Sequence, residues 1–427
     1  TVASPTMNRL TKLAAHPTGG LWAVGDKSTL LRYDAAAQRW QPEALPALPD
    51  QRLLVDSDLS FVGDELWLVG CAEFTGACYV LKRRGGVFAE PERLFLVNGG
   101  NFGIHLFGVG AADAWFSHEY GLQRWSGTNR GPHFLMMDLC GASPEDLWLI
   151  GRRLDDQGNN VATEVLRFDG DGYRTVLTRP EPTSALLCVK SDEVWAVFAD
   201  TGKPTVGLRF RGGADGQWST PYALGLDSGS NSGGLWASGP DDIWFGGGAA
   251  FSHFNGEVWS PAGDSGTGSP TITGFHKTPS GAFFAGTWAG PLRLVGTTWQ
   301  RESHPKFFPP MEDIRWNGFA GSGDALWLNG QVAADGAQKR LISRQGEGAA
   351  WVLEETADAG NLTLHVDGRG RLFGGGFNGV LVLVNQQPRR VLALGSTVAV
   401  SRIRSVGRDD VYAFHGKNEN FLMHGRP

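Results

Sequence analysis

Several things this chain lacks narrow its possibilities. It has no run of 18 apolar residues, so no segment reads as a membrane-spanning helix. Its longest basic run is Lys82-Arg-Arg84 and its net charge is −6, which argues against a nucleic-acid partner. The catalytic signatures Gly-x-Ser-x-Gly, His-Glu-x-x-His and Gly-x-x-x-x-Gly-Lys-Ser/Thr are all missing. The glycine string Gly246-Gly-Gly248 follows a strand and opens no helix, so it does not read as a dinucleotide site. No Cys-x-x-Cys and no Cys/His ligand spacing occurs, and the ten His are scattered, so neither a metal nor a cofactor is expected. Asp155-Asp156 and Asp169-x-Asp171 stop short of a calcium loop. No long amphipathic helix can be traced.

Cysteine is scarce, with four residues. Cys71 and Cys78 flank a hairpin tip and are expected to bridge its two strands. Cys140 and Cys188 precede the same repeated phrase in neighbouring units, where inner strands could stand too far apart for a bond, so their pairing stays open. Paired cysteines would favour an oxidising, extracytoplasmic setting. The sequence opens at Thr1 without a Met or a leader pattern, which reads as a mature or trimmed chain whose leader carried the address.

What is abundant is a repeat. A turn, an apolar strand with an aromatic at a fixed place and usually a Gly exit recur ten times. The aromatics are Trp22, Trp67, Trp115, Trp148, Trp195, Trp244, Phe283, Trp327, Phe373 and Tyr412. They are spaced roughly 33 to 49 residues apart, the length of a four-stranded propeller blade. Gly at 61 residues suits the many turns, and most of the 16 Trp are expected to fill gaps between blades. In the first unit, 8–15, 21–25, 29–33 and 38–42 read as four strands separated by turn residues. The turn before the repeated strand is often acidic, as at Asp146, Glu193, Asp242 and Asp410; carboxylates copied into so many units read as turn structure and not as a catalytic pair.

Phrases such as Pro17-Thr-Gly-Gly-Leu-Trp22-Ala-Val-Gly25 and Pro279-Ser-Gly-Ala-Phe-Phe-Ala-Gly286 resemble the repeats of bacterial secreted and sensor-type β-propellers. The resemblance extends over the whole chain at the level of the repeat and implies an all-β propeller fold. The Asp-box of sialidase-like propellers has no clean copy, and with six Tyr no motif selects a Tyr nucleophile.

The expected architecture is one closed ring of ten four-stranded blades over residues 1–427. Thr1–Pro5 would complete the last blade, whose fourth strand is missing, and so remove an open sheet edge. The alternative is two five-bladed rings split near 224–233. Long connections fall mostly on one face, at 91–101, 152–160, 199–204, 222–231, 261–270, 301–310 and 331–338. Loops longer than a fold requires are where binding commonly evolves.

On that face the candidate contact residues are His118 and Tyr120 at a hairpin tip, Arg152 and Arg153 in a charged flap, and Trp288 just past a strand. His304, Lys306, Phe307 and Phe308 form a basic, aromatic loop, and His415 lies at the last hairpin. Aromatics beside Arg and His suit a protein partner or a surface glycan. The expected function is a non-enzymatic binding or scaffold propeller of the bacterial envelope or exterior. The alternative is an extracytoplasmic carbohydrate-active hydrolase or lyase with carboxylates at the channel mouth.

Overall fold

The structure is a computed structural model. It describes residues 5–16, 20–62, 64–73, 77–96, 105–108, 113–118, 121–126, 129–143, 145–155, 159–168, 173–200, 203–213, 216–226, 233–248, 250–264, 271–302, 314–332, 339–346, 348–354, 363–367, 369–376, 379–384, 387–393, 400–406, 410–415 and 421–425. Among them every regular element is a strand, none is a helix, and most sheets are four-stranded, antiparallel and ordered as in the sequence. This is consistent with the β-propeller expected from the repeat. Among the described residues no helix is long and apolar enough to cross a membrane.

The chain divides into two compact units, 1–135 with 154–159, and 136–153 with 160–427. The boundary falls inside the strand Asn129–Ser143. Residues 1–4 of the expected closing strand lie outside the described residues.

The first unit opens with a sheet of Leu10–Ala15, Leu21–Gly25, Thr29–Asp34 and Arg39–Pro42, close to the strands read from sequence. A second sheet runs from Leu54–Val62 through Glu65–Ala72 and Ala77–Arg84 to Val87–Phe88, and a third begins with His105–Gly108 and Asp113–His118. Trp22, Val24 and Leu30 of the first sheet pack with Leu59, Leu66 and Leu68 of the second. Trp67 of the second packs in turn with Leu106 and Phe116 of the third.

Among the described residues the second unit holds six whole sheets and, before them, the C-terminal strands of the seven-stranded sheet that begins with His105–Gly108; these strands are counted below as its first sheet. Their second strands, which carry the repeated phrase, are Asp146–Leu154, Glu193–Phe198, Asp242–Gly247, Phe283–Thr287, Ala325–Val332, Leu372–Gly376 and Asp410–His415. One rule joins the first six: the repeat aromatic packs on the sheet that follows. Trp148 clusters with Val194 and Phe210, Trp195 with Ile243 and Phe245, Trp244 with Phe275 and Phe283, and Phe373 with Ile403 and Val411. The rule also corrects one assignment. Phe283 packs backward onto Trp244, whereas Phe284 packs forward onto Trp316 and Phe319, so Phe284 holds the repeat position. Alternate residues of a strand point to opposite faces, so a one-residue offset reverses the side chain's direction.

The last sheet, with inner strand Val400–Val406, has three strands in the described residues and meets the first sheet of this unit. Arg404 forms an ion pair with Asp138. A Cβ added at Gly141 would lie 3.2 Å from Val406. Burial, and then the proximity of Tyr412 in the repeat position of the last sheet, push the pKa of Tyr173 in that first sheet up.

The acidic turns have a structural task. Asp146 pairs with Arg167 at 3.1 Å, and that guanidinium lies 5.0 Å from the Trp148 ring centre. Glu193 likewise accepts from Arg209 Nε at 2.7 Å, with Arg209 over Trp195. At Asp242 the partner is His253, 2.9 Å away and stacked on Trp244. In each case the carboxylate two residues before the aromatic fixes a cation or imidazole placed over that aromatic.

Candidate functional site

The innermost strands of the second unit surround a cavity of about 530 Å³. Residues of all seven inner strands line it, from Met137–Gly141 in the first to Arg404 and Ser405 in the last. Its chemistry is concentrated in a few side chains, and each is engaged with a neighbour.

Arg404 and Asp138 form the most polar wall. Arg404 Nε donates to Asp138 Oδ1 at 2.9 Å and Nη2 donates to Oδ2 at 3.2 Å. Nη1 donates to the Ile403 carbonyl at 3.1 Å. The Asp138 side chain is 4% exposed and its Oδ1 also accepts the Leu139 amide at 3.0 Å. A two-pronged pair of this kind neutralises both charges and uses the directional face of the guanidinium.

His365 stands beside this pair. Its Nε2 accepts the Ser405 backbone N–H at 2.8 Å and lies 2.8 Å from Ser405 Oγ. A ring nitrogen that accepts an amide proton carries none itself, so the imidazole is neutral with its proton on Nδ1. Burial, and then the Arg404 charge, push its pKa down to about 3. The Nε2 lone pair that faces the Ser405 hydroxyl is thus already engaged by the Ser405 backbone N–H. His276 also has its pKa lowered, chiefly by burial. Its Nε2–H donates to the Gly323 carbonyl at 2.8 Å. Gly321 makes room for that ring, since a Cβ there would lie 2.2 Å from it.

None of Asp138, His276, His365 or Arg404 was among the residues singled out by sequence. The available signal was weak: an ionisable residue inside an apolar inner strand, as in Met136-Met-Asp-Leu-Cys140.

The residues that were singled out fare unevenly. Tyr120, His304, Lys306, Phe307 and Phe308 lie outside the described residues. His118 and His415 end strands, in register with Gly121 and with Val400 and Phe421 respectively. Arg152 and Arg153 belong to the strand Asp146–Leu154 and not to a loop flap; Arg153 pairs with Glu164 at 3.1 Å, and Arg152 Nε is buried without a partner. The hairpin is longer than expected there, and Asp155 receives the Asn159 amide at 2.8 Å across its tip. Trp288 is 43% exposed, in the short turn between Phe283–Thr287 and Gly290–Val295.

Both cysteine pairs are bridged. Cys71 and Cys78 face each other across one hairpin, as expected. Cys140 and Cys188 join the inner strands of adjacent sheets on the cavity wall, their Cα atoms 5.5 Å apart. Among the described residues no group of three or more His, Cys, Asp or Glu is placed to hold a metal ion.

No protein-family model and no curated protein sequence matches the chain. Solved structures do. The extracellular domain of BT4673 from B. thetaiotaomicron matches at 12% identity and a TM-score of 0.41, over 95% of this chain and 57% of that one. This chain thus spans little more than half of that domain. YCF48 bound to D1 peptide matches at 15% identity and a TM-score of 0.49, over 69% and 94% of the respective chains. Virginiamycin B lyase from Staphylococcus aureus matches at 12% identity and a TM-score of 0.29, over 76% and 92%.

Proposed function

We propose that this chain is a non-enzymatic binding propeller that works outside the cytoplasm, and that its second unit is a closed ring of seven sheets around the polar cavity. The closure reading rests on the shared joint: the first six sheets each send the repeat aromatic to the next, and the last sheet sends Arg404 to Asp138 of the first. The binding reading rests on one observation. The ionisable groups of the cavity are spent on each other or on backbone, Asp138 on Arg404, His365 on Ser405 and His276 on Gly323. Groups held this way can orient a ligand but are not poised to move protons. The carbohydrate-active alternative needs two carboxylates across one pocket, and Asp138 is the single carboxylate among the described lining residues.

Two disulfides suit an oxidising compartment. A macromolecular partner, protein or surface glycan, would engage the face of the long connections, where Trp288, Tyr120, Phe307 and Phe308 are the candidate anchors. The test is photocrosslinking from position 288 in intact cells that make the protein, with thiol trapping of the same cells. Disulfide-bonded protein with a reproducible crosslinked partner supports the reading. Free thiols in the native cells would overturn the location, and hydrolytic or lyase turnover lost on Asp138→Asn would overturn the non-enzymatic role.

A further inference from the structure

The cavity of the second unit has two sources of hydrogen bonding. One is the side chains described above. The other is main chain. In the six sheets from Thr183 onward the innermost strand ends its sheet and pairs on one side only. The opposite edge of such a strand presents N–H and C=O groups in alternation, and these edges border the cavity. Along these six edges the wall therefore offers donors and acceptors mixed together, apart from groups already engaged such as the Ser405 N–H on His365.

Its charge is balanced. Arg404 is the one cationic and Asp138 the one anionic side chain among the described lining residues, and they neutralise each other in a two-pronged pair. An anion approaching Arg404 would have to displace the buried Asp138 or sit beside it. A cation approaching Asp138 meets Arg404. Both cases sacrifice a pair whose separation inside the protein is costly. A neutral polar molecule incurs neither cost. A hydroxyl group both donates and accepts, so it can match an alternating wall in either orientation.

From this balance of charge and mixed hydrogen bonding, we propose that the cavity of the second unit binds a neutral, hydroxyl-rich small molecule, a polyol or a saccharide of one or two rings. The volume of about 530 Å³ lies within the range of about 300–1,000 Å³ usual for small-molecule sites. Trp236 lines the wall, partly exposed and tilted against Phe283 at a ring separation of 5.0 Å, and supplies an apolar ring surface beside the polar groups. Ser405 and Thr363 add side-chain hydroxyls from two other sheets. This inference rests on the binding role and the closed ring proposed above, and adds a second site to the long-connection face.

The full chain, labelled with 5-fluorotryptophan and with the Trp236 resonance assigned through Trp236→Phe, provides the test. It is titrated with glucose, maltose, trehalose, sorbitol and inositol, and in parallel with glucuronate and glucosamine as charged counterparts. The expected result is a saturable shift of the Trp236 signal with at least one neutral compound at millimolar concentration or below, and at least tenfold weaker binding of the charged ones. Ser405→Tyr and Thr363→Tyr fill the cavity from two different sheets, and whichever retains native near-UV circular dichroism is to lose binding more than tenfold. The proposal is overturned if no neutral compound moves the signal, if a charged counterpart binds as tightly, or if binding survives cavity filling. Failure here with a partner still crosslinked from position 288 removes this site alone. Failure of both removes the binding role.

Discussion

Replacing Arg404 by Gln tests the joint between the last and first sheets of the second unit. The substitution removes both bonds to Asp138, a carboxylate that is 4% exposed and that also accepts the Leu139 amide. Breaking a buried ion pair from one side typically costs about 3–5 kcal/mol. Arg404 is itself 33% exposed, so water can partly take its place, and the lower end of that range, about 3 kcal/mol, is expected. Asp138→Asn combined with Arg404→Gln removes the stranded charge, and the double variant should recover most of the loss, which gives a large coupling energy in a double-mutant cycle. Urea unfolding followed by Trp fluorescence measures the global effect. Hydrogen exchange locates it, since amides of Val400–Val406 should lose protection first. A loss below about 0.5 kcal/mol, the scale of an ordinary surface pair, would refute the reasoning, because Arg404 would then close nothing.

Three further outcomes are expected. The Cys140–Cys188 bridge spans 48 residues and Cys71–Cys78 spans 7, so chain entropy assigns the first about 4 kcal/mol and the second about 2.4 kcal/mol. Paired Cys→Ser replacement at each bridge, compared in urea melts, should show that order, and equal losses would contradict it. His365 titrates near 3 in the fold against about 6.5 in the unfolded chain, so its contribution is complete above about pH 6.5 and declines as pH falls toward 3, by up to about 1.4 kcal/mol per pH unit. His365→Gln should flatten the stability profile between pH 6.5 and 4, and an unchanged slope would remove His365 as the cause. Burial opposes ionisation of Asp242, but hydrogen bonds from Ser238, Lys277, Trp244 and His253 outweigh it and hold its pKa at about 2 against an ordinary 3.8. Its stabilisation is thus present above pH 3.8 and lost as pH falls through about 2. With solvent screening Asp242→Asn should cost about 1 kcal/mol at pH 7 and close to nothing at pH 2, measured by thermal melts.

What the sequence determined by itself was the local unit. Spacing, alternation and turn residues marked four strands per repeat, and Leu21–Gly25 and Arg39–Pro42 fall where they were read, because a strand's in-and-out alternation and its turn chemistry are written in consecutive residues. The structural reading of Asp146, Glu193 and Asp242 was legible for the same reason, although the partners were not: Arg167, Arg209 and His253 stand 11 to 21 positions along the chain and meet these carboxylates only when the strands align. The direction of Phe284 needed the register of a neighbouring strand. The division into two units, the meeting of Arg404 with Asp138 across 266 positions and the bridge of Cys140 to Cys188 were decided by tertiary structure alone. The number of sheets that make a ring depends on the small rotation between successive sheets, which accumulates from packing and twist and leaves no mark in any single repeat. The cavity follows from the same cause, since its wall takes residues from every repeat of the second unit and exists only once those strands are gathered.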